Sequence, residues 1–283
     1  MDSPLPAERH RRIEEFLRNR HVARVSTLSE LLNVSEVTVR RDLEVLERRG
    51  TCERIHGGAV ATHRMRVEPA YREALEAHRS EKALIAHAAA RLVQAGDTIF
   101  LNGGTTTLEV FRALPAADVK VVTNHVGIAY EAARKQAASG EIIVLAGQYR
   151  GSSNSLVGPM TRASIGSVYA NKTFLGVEGF SLRYGLTTPS QAEAEIATLM
   201  IERTLGDVIV VADHSKLGTV ADFVIADIDQ ISRLVTDRIN EEYERGLANV
   251  RVEVIVASHM RELLPLEGGM KEKDRAVPER EGA

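Results

Sequence analysis

A single cysteine, Cys52, stands among the 283 residues. That excludes an intrachain disulfide framework and any cysteine-rich zinc site. No apolar run reaches the ~18–20 residues of a membrane-spanning helix, and the opening MDSPLPAERHRR has no signal-peptide core. The expected compartment is the cytoplasm, with no membrane partner. An excess of positive charge is also missing: the net charge is −3, which argues against a grossly basic nucleic-acid binder. Residues 1–62 contain no lysine, and their 11 arginines meet 10 acidic side chains. Arginine outnumbers lysine 29 to 7 along the whole chain, so this preference reads as codon bias. DNA binding has to be argued from where the arginines sit. What the chain has in quantity is apolar mass: 44% hydrophobic against 27% charged residues suffices for a core, and the length suits two ordinary domains or one large one.

Residues 1–62 read as one small domain. AERHRRIEEFLRNR puts Ile13, Phe16 and Leu17 on one helical face. Ser26 is placed to cap a short helix, TLSELLNV, bearing Leu28, Leu31 and Leu32. Ser35 caps a third helix that Gly50 ends, in which Val39, Leu43 and Leu46 recur at i, i+4, i+7. Val37, Thr38, Arg41 and Arg48 then face outward, with Arg40 on the flank. Two helices across a tight turn, the second with arginines near its start, form the pattern of a helix-turn-helix. In TCERIHGGAV the alternation around Ile55 and the Gly57-Gly58 pair predict a hairpin, the wing, from which Arg54 and His56 reach phosphate or minor groove. The competing reading is a solvated face on a protein-docking module, because Glu36, Asp42, Glu44 and Glu47 can neutralise these arginines at i,i+3 and i,i+4.

Residues 63–79 are charged, hold one proline and read as a linker running into a helix. Residues 80–257 alternate helical patterns with TIFL, VKVVT, EIIVL, KTFLGV, VIVVA, FVIA, RLVT and VEVIV. Such near-continuous apolar strands predict an α/β domain with a mainly parallel sheet covered on both faces. Residues 258–283 are polar and punctuated by Gly and Pro, and predict a disordered tail.

Ligands of open α/β sheets sit beyond the carboxyl ends of the strands. The chemically informative residues crowd there: Asn102, Gly103, Gly104, Thr105, Thr106 and Thr107 after the first strand, Thr123-Asn124-His125 after the second, Gly147 to Arg150 after the third, Glu178-Gly179 after the fourth and Asp213 to Lys216 after the fifth. Bare backbone amides, hydroxyls and a helix N-terminus in GGTTT suit a phosphate. The segment lacks the G-K-[ST] ending of a nucleotide P-loop, and by itself it is equally a tight turn with threonine caps. Asp213 and His214 are neighbours at a strand end and face opposite ways, which argues against a catalytic pair. His125 and His214 lack a third metal ligand at a recognisable spacing.

The stretch LSELLNVSEVTVRRDLEVLERRGTCERIHGGAV resembles the N-terminal signature of the DeoR family of bacterial transcription regulators. LNGGTTTLEV, VVTNHVGIA, LAGQYRGSSNSLVGP, GVEGFSLRYGLTTPSQAEAE and VVADHSKLG…RLVTD resemble the successive motifs of that family's sensor domain. The match runs over roughly residues 8–237. It implies a winged helix-turn-helix followed by a domain similar to ribose-5-phosphate isomerase, which binds phosphorylated sugars. The implied contacts to double-stranded operator DNA are Ser35, Thr38, Arg40, Arg41, Arg48, Arg54 and His56. For the effector, Gly104 to Thr107 would hold the phosphate with Lys216 as counter-charge. Asn102, Gly103, Gly147 and Arg150 would complete the site, with Asn124, Glu178 and Asp213 for sugar hydroxyls or loop support. No cofactor is implied, and several copies, a dimer or tetramer, would span repeated half-sites. The chain departs from the family at Cys52, where an aliphatic residue is usual, at Asn102, where Asp is usual, and at Ala146, where Gly is usual. The alternative to a regulator is an isomerase-like enzyme with an appended interaction domain, which would need Glu178, Asp213 or Lys216 as acid and base. A free metabolic enzyme has no use for a winged helix, so the regulator is the expected function.

Overall fold

A computed structural model of the chain describes residues 5–258 apart from 21, 56, 66, 116–117 and 135–139. His56 and all but the first residue of the expected tail lie outside the described residues.

The N-terminal module comprises α1 (Pro6–Arg20), β1 (Val22–Arg24), α2 (Val25–Leu32), α3 (Glu36–Arg48), β2 (Cys52–Ile55) and β3 (Gly58–Ala61). Ile13, Leu17, Leu28, Leu32, Val39, Leu43 and Leu46 close into one core with Cys52. Burial pushes the Cys52 thiol up to about 12, so it is an inert core side chain rather than a redox sensor. Ser35 caps α3 as expected, its hydroxyl accepting the Thr38 amide at 3.2 Å.

Ser26 does not cap α2. The helix starts two residues earlier than expected, at Val25, whose amide donates to Gly57 of the wing turn at 2.8 Å and whose side chain enters the core. Val25, Leu28 and Leu32 then form the buried stripe, and Leu31 is left 49% exposed. A tertiary hydrogen bond here overrides local capping preference. Asp42 also departs from its expected part. It is buried, and Arg9 grips it through Nε at 2.7 Å and Nη2 at 2.9 Å while His10 Nε2 lies 3.0 Å away. The aspartate therefore pins α3 to α1 and leaves Arg41 to solvent.

After β4 (His63–Arg64), α4 (Tyr71–Glu76) and α5 (Arg79–Ala90) comes the α/β domain. Its strands are β5 (Thr98–Leu101), β6 (Lys120–Thr123), β7 (Ile142–Val144), β8 (Gln148–Arg150), β9 (Ser155–Val157), β10 (Ala170–Leu175), β11 (Gly179–Ser181), β12 (Gly185–Thr188), β13 (Thr204–Val211), β14 (Thr219–Val220), β15 (Phe223–Ala226), β16 (Arg233–Thr236) and β17 (Glu253–Val256). The helices are α6 (Thr105–Ala113), α7 (Val126–Arg134), α8 (Pro159–Gly166), α9 (Gln191–Glu202) and α10 (Glu241–Asn249). Seven strands form a parallel sheet in the order β17-β16-β13-β10-β5-β6-β7. Side chains alternate between its faces. Ile99 and Leu101 pack with α5 and α6 residues, while Phe100 packs on the other face with Ile165, Ile196 and Met200. The run FVIA is a strand, β15, yet it leaves this sheet and pairs antiparallel with β12 in a small three-stranded one.

The strand order decides where a ligand can enter. From β5 the chain builds outward to β7, then returns to place β10 on the other side of β5 and builds outward to β17. The crevice over the ends of β5 and β10 is the topological switch point.

Asp42→Ala removes the buried carboxylate that Arg9 and His10 share and should cost about 3 kcal/mol of stability. Urea unfolding of wild type and variant measures this, and a loss below about 1 kcal/mol would place the pair among exposed, dispensable ones.

Candidate functional site

The ends of β5, β10 and β13 and the helices α4 and α5 enclose a cavity of about 250 Å³. One wall is the N-terminus of α6, where Gly104, Thr105 and Thr106 border the space. First-turn amides have no partner inside their own helix, so this wall presents donors and the positive end of the helix dipole. Lys216 and, from α5, Lys82 also border the space. The Lys82 ammonium is buried and donates to the carbonyls of Ala74 and Ala77 at the end of α4. Burial draws its pKa below the usual lysine range. Sequence reading missed Lys82, because one lysine in an alanine-rich helix reads as a surface charge and residues before 80 read as linker.

Asn102 holds this region together. Its Nδ2 donates to Gly176 O at 2.9 Å, and its Oδ1 accepts from Gly176 N at 2.8 Å. An aspartate could make only the second bond, so the departure at this position adds a tie between the ends of β5 and β10. Thr107 is fully buried, and its hydroxyl lies 2.8 Å from Asn102 O and 2.9 Å from Gly104 O. It braces the loop from behind, leaving Thr105 and Thr106 at the cavity. Gly103 packs against Ser155, where an added Cβ would come within 2.5 Å of the serine Cβ.

Gly147 and Arg150 do not border the cavity. Gly147 lies against α8, where a Cβ would meet Thr161 Oγ1 at 2.1 Å, and Ala146 O accepts from that hydroxyl at 2.8 Å. Arg150 pairs with Glu68 at 2.7 Å and Glu193 at 3.3 Å, one layer behind.

Asn124 and Glu178 line a narrow niche off the same cavity, with Thr188 and Glu193. Asn124 Nδ2 donates to Leu156 O at 2.9 Å, and its buried Oδ1 has no partner among the described residues. Burial first, then the neighbouring Glu193 charge, pushes the Glu178 carboxyl up to about 7, against the pull of Lys216. Asp213 is the opposite case. Burial works to raise its pKa, yet hydrogen bonds from Ser215 and the charge of Lys216 outweigh it and hold the carboxyl below the usual range. Its Oδ1 accepts from the Ser215 amide at 3.0 Å and from the Ser215 hydroxyl at 2.5 Å, while Oδ2 is buried without a partner among the described residues. His214 lies in a 3-10 turn beyond the end of β13, where strand alternation does not apply, and its Nδ1 engages Asp237. His78, Asp213 and His214 bring possible metal-ligand atoms within 4.8 Å of one another, a grouping that spacing in the sequence did not reveal. His214 already commits Nδ1 to Asp237 at 2.8 Å and Nε2 to Arg238 at 2.6 Å, and its ring meets His78 edge-on with centroids 5.1 Å apart. His125 is buried, with Nε2 3.1 Å from the Tyr71 hydroxyl, and burial lowers its pKa to about 4. It is a neutral support for α4.

In the N-terminal module the expected contacts divide between two surroundings. Arg41 and Arg48 are exposed on α3. Arg40 pairs with Glu36 at 2.7 Å and Arg54 with Glu44 at 2.8 Å, and both line a cleft of about 700 Å³ between the two domains. Exposed pairs of this kind are worth ~0–1 kcal/mol, so a nucleic-acid phosphate can replace either carboxylate at small cost. Thr38 lies beside Ser35, hydroxyls 2.9 Å apart, at the start of the helix.

A helix-turn-helix with a small antiparallel sheet, joined to a parallel α/β domain whose switch point offers an anion-suited cavity, defines a DNA-binding regulator with a sensor domain. The family model for the DeoR-like helix-turn-helix domain matches residues 9–65, and that for the DeoR C terminal sensor domain matches residues 77–238. The chain is 37% identical to the uncharacterised HTH-type transcriptional regulator YulB of Bacillus subtilis, over 82% of this chain and 89% of that protein. It is 36% identical to the HTH-type transcriptional regulator GlpR of Haloferax volcanii, over 82% of this chain and 90% of that protein. Among solved structures it is similar to ribose 5-phosphate isomerase A of Methanocaldococcus jannaschii, with a TM-score of 0.36 and 15% identity over 50% of this chain and 55% of that one. This chain belongs to the DeoR family: it is a transcription regulator and not an enzyme. Among the described residues no helix is long and apolar enough to cross a membrane.

The stability that protonated Glu178 lends the fold is complete below the ordinary carboxylate range and is lost as pH rises through about 7. Glu178→Gln mimics the protonated form, so it should raise Tm at pH 8 and leave it nearly unchanged at pH 5. Scanning calorimetry at both pH values tests this, and an equal effect at both would remove Glu178 as the titrating group.

Proposed function

We propose that the chain is a cytoplasmic repressor of a carbohydrate operon whose affinity for operator DNA is switched by a phosphorylated sugar bound at the switch-point cavity. The observation that carries this reading is the convergence of the α6 N-terminus, Lys82 and Lys216 on one small cavity that also holds the buried acceptor Asp213 Oδ2, with a second, Asn124 Oδ1, in the niche beside it. Donors and positive charge suit a phosphate, and unpartnered acceptors suit sugar hydroxyls. Thr105, Thr106 and Gly104 hold the phosphate with Lys216. Asn102, Gly103 and Thr107 shape the loop, Asn124 and Glu178 take hydroxyls at the niche, and Gly147 and Arg150 support from behind. At the other end, Ser35, Thr38, Arg40, Arg41 and Arg48 of α3 and its cap meet the duplex, with Arg54 and His56 on the wing. A homo-oligomer, dimer or tetramer, places two or more such modules on repeated half-sites. The sugar phosphate alters DNA affinity only by the difference in its affinity for the two domain arrangements.

Fluorescence anisotropy on DNA from upstream of the protein's own gene, with a panel of hexose, pentose and ketose phosphates and their free sugars, tests the reading. One phosphate should lower DNA affinity while its free sugar does not, and a panel without effect would remove the effector assignment. Arg41→Ala should weaken DNA binding by about 1–3 kcal/mol and leave ligand binding intact. Thr106→Val should do the converse. Loss of both activities in either variant would signal misfolding and undercut the division of labour.

A further inference from the structure

Two short backbone arms run from the cavity to the wing. The first begins at Lys216, which borders the cavity. Two residues on, Gly218 leads into β14, which pairs in parallel with β4, Thr219 opposite His63 and Val220 opposite Arg64. The His63 amide donates to Gly218 O at 2.9 Å and the Met65 amide to Val220 O at 2.9 Å. Gly218 has a φ of +82°, and a Cβ there would sit 2.6 Å from the carbonyl oxygen of Ala61, the last residue of wing strand β3. The second arm begins at Glu178. The next residue opens β11, and at the end of that strand Ser181 donates its hydroxyl proton to Glu53 of wing strand β2. Glu53 is only 2% exposed, so this bond is sealed between the two domains. The arms are cross-tied where Phe180 bridges to Leu217 and where the Gly218 amide donates to Phe180 O at 2.8 Å. Val60 of β3 turns away from its own module's core and packs in the sensor-domain cluster with Val177 and Phe180. The wing is therefore built into the sensor domain rather than hung from it by a flexible linker.

We propose that the wing sheet is the reader of the cavity: a ligand held between Lys216 and Glu178 moves β14 and β11 together, and the paired β4 with the Ser181–Glu53 contact carries that movement to β2 and β3. This rests on the cavity being the effector site. Each arm is no more than a few residues long and is hydrogen-bonded at both ends, so a shift at the cavity cannot be absorbed by loop flexibility. The predicted movement concerns the wing first and α3 second, because α3 is tied to α1 through Asp42 and follows its module as a body.

Hydrogen exchange of the full chain, followed at residue resolution during titration with inorganic phosphate, tests the relay. Phosphate should slow exchange at the amides of Thr105 and Thr106. It should also change exchange several-fold at His63 and Met65, with the same midpoint. In Gly218→Ala, and independently in Ser181→Ala, the cavity amides should still respond while the response at His63 and Met65 falls. Protection at the cavity with His63 and Met65 unmoved in the wild type would overturn the relay and leave the cavity assignment standing. The relay is likewise overturned if both variants respond as the wild type does. No response at Thr105 and Thr106 would remove the cavity assignment, and the relay with it.

Discussion

One side chain that both gives and accepts a hydrogen bond holds the two halves of the sheet together at the point where they part. Asn102 closes the end of β5 onto Gly176 at the end of β10. The chain leaves this seam in opposite directions, which opens a crevice over the strand ends. Everything chemically useful hangs from the seam. The α6 N-terminus begins three residues after Asn102, Glu178 lies two residues after Gly176, and Asp213 and Lys216 follow the strand that flanks β10. An asparagine also keeps formal negative charge away from the α6 N-terminus, the proposed phosphate end of the site.

The DNA-binding half relies on a different economy of charge. Its arginines balance its acids, so attraction to DNA comes from arrangement rather than excess. Asp42 is withdrawn into a buried clamp with Arg9, while Glu36 and Glu44 engage Arg40 and Arg54 only at the surface. Weak exposed pairs can be exchanged for phosphates, whereas the buried pair keeps the helix geometry fixed while that exchange occurs. A domain of this kind binds with a marked salt dependence and little non-specific attraction at a distance.

Much of this was legible in the residues. Strand runs such as TIFL and VIVVA, and the stripe Val39, Leu43, Leu46, carry their periodicity openly, and several of the polar segments after the strands border the cavity. Contacts between distant segments left no local signal. Leu31 looked inward because Ser26 is a good cap, but the bond from Val25 to Gly57 resets the helix start. FVIA has the composition of a central strand, yet it pairs with β12 outside the main sheet. Gly147 and Arg150 follow a strand of the same sheet as the others, but β7 is the edge strand and lies farthest from the seam on its side. Lys82 enters the cavity from a helix that precedes the sheet, and Asp42 looked like a surface neutraliser because its partners, Arg9 and His10, lie more than thirty residues away.

On the proposed reading, the switch-point cavity and the DNA-binding surface are thermodynamically one system. Titration calorimetry of a phosphorylated sugar that alters DNA binding, into the free protein and into the protein saturated with its own upstream DNA, tests it most directly. Linkage requires the sugar phosphate's Kd to change by the same factor that it imposes on the DNA Kd, a coupling of roughly 5–150-fold in typical cases. An effector Kd that is identical with and without DNA would contradict the account.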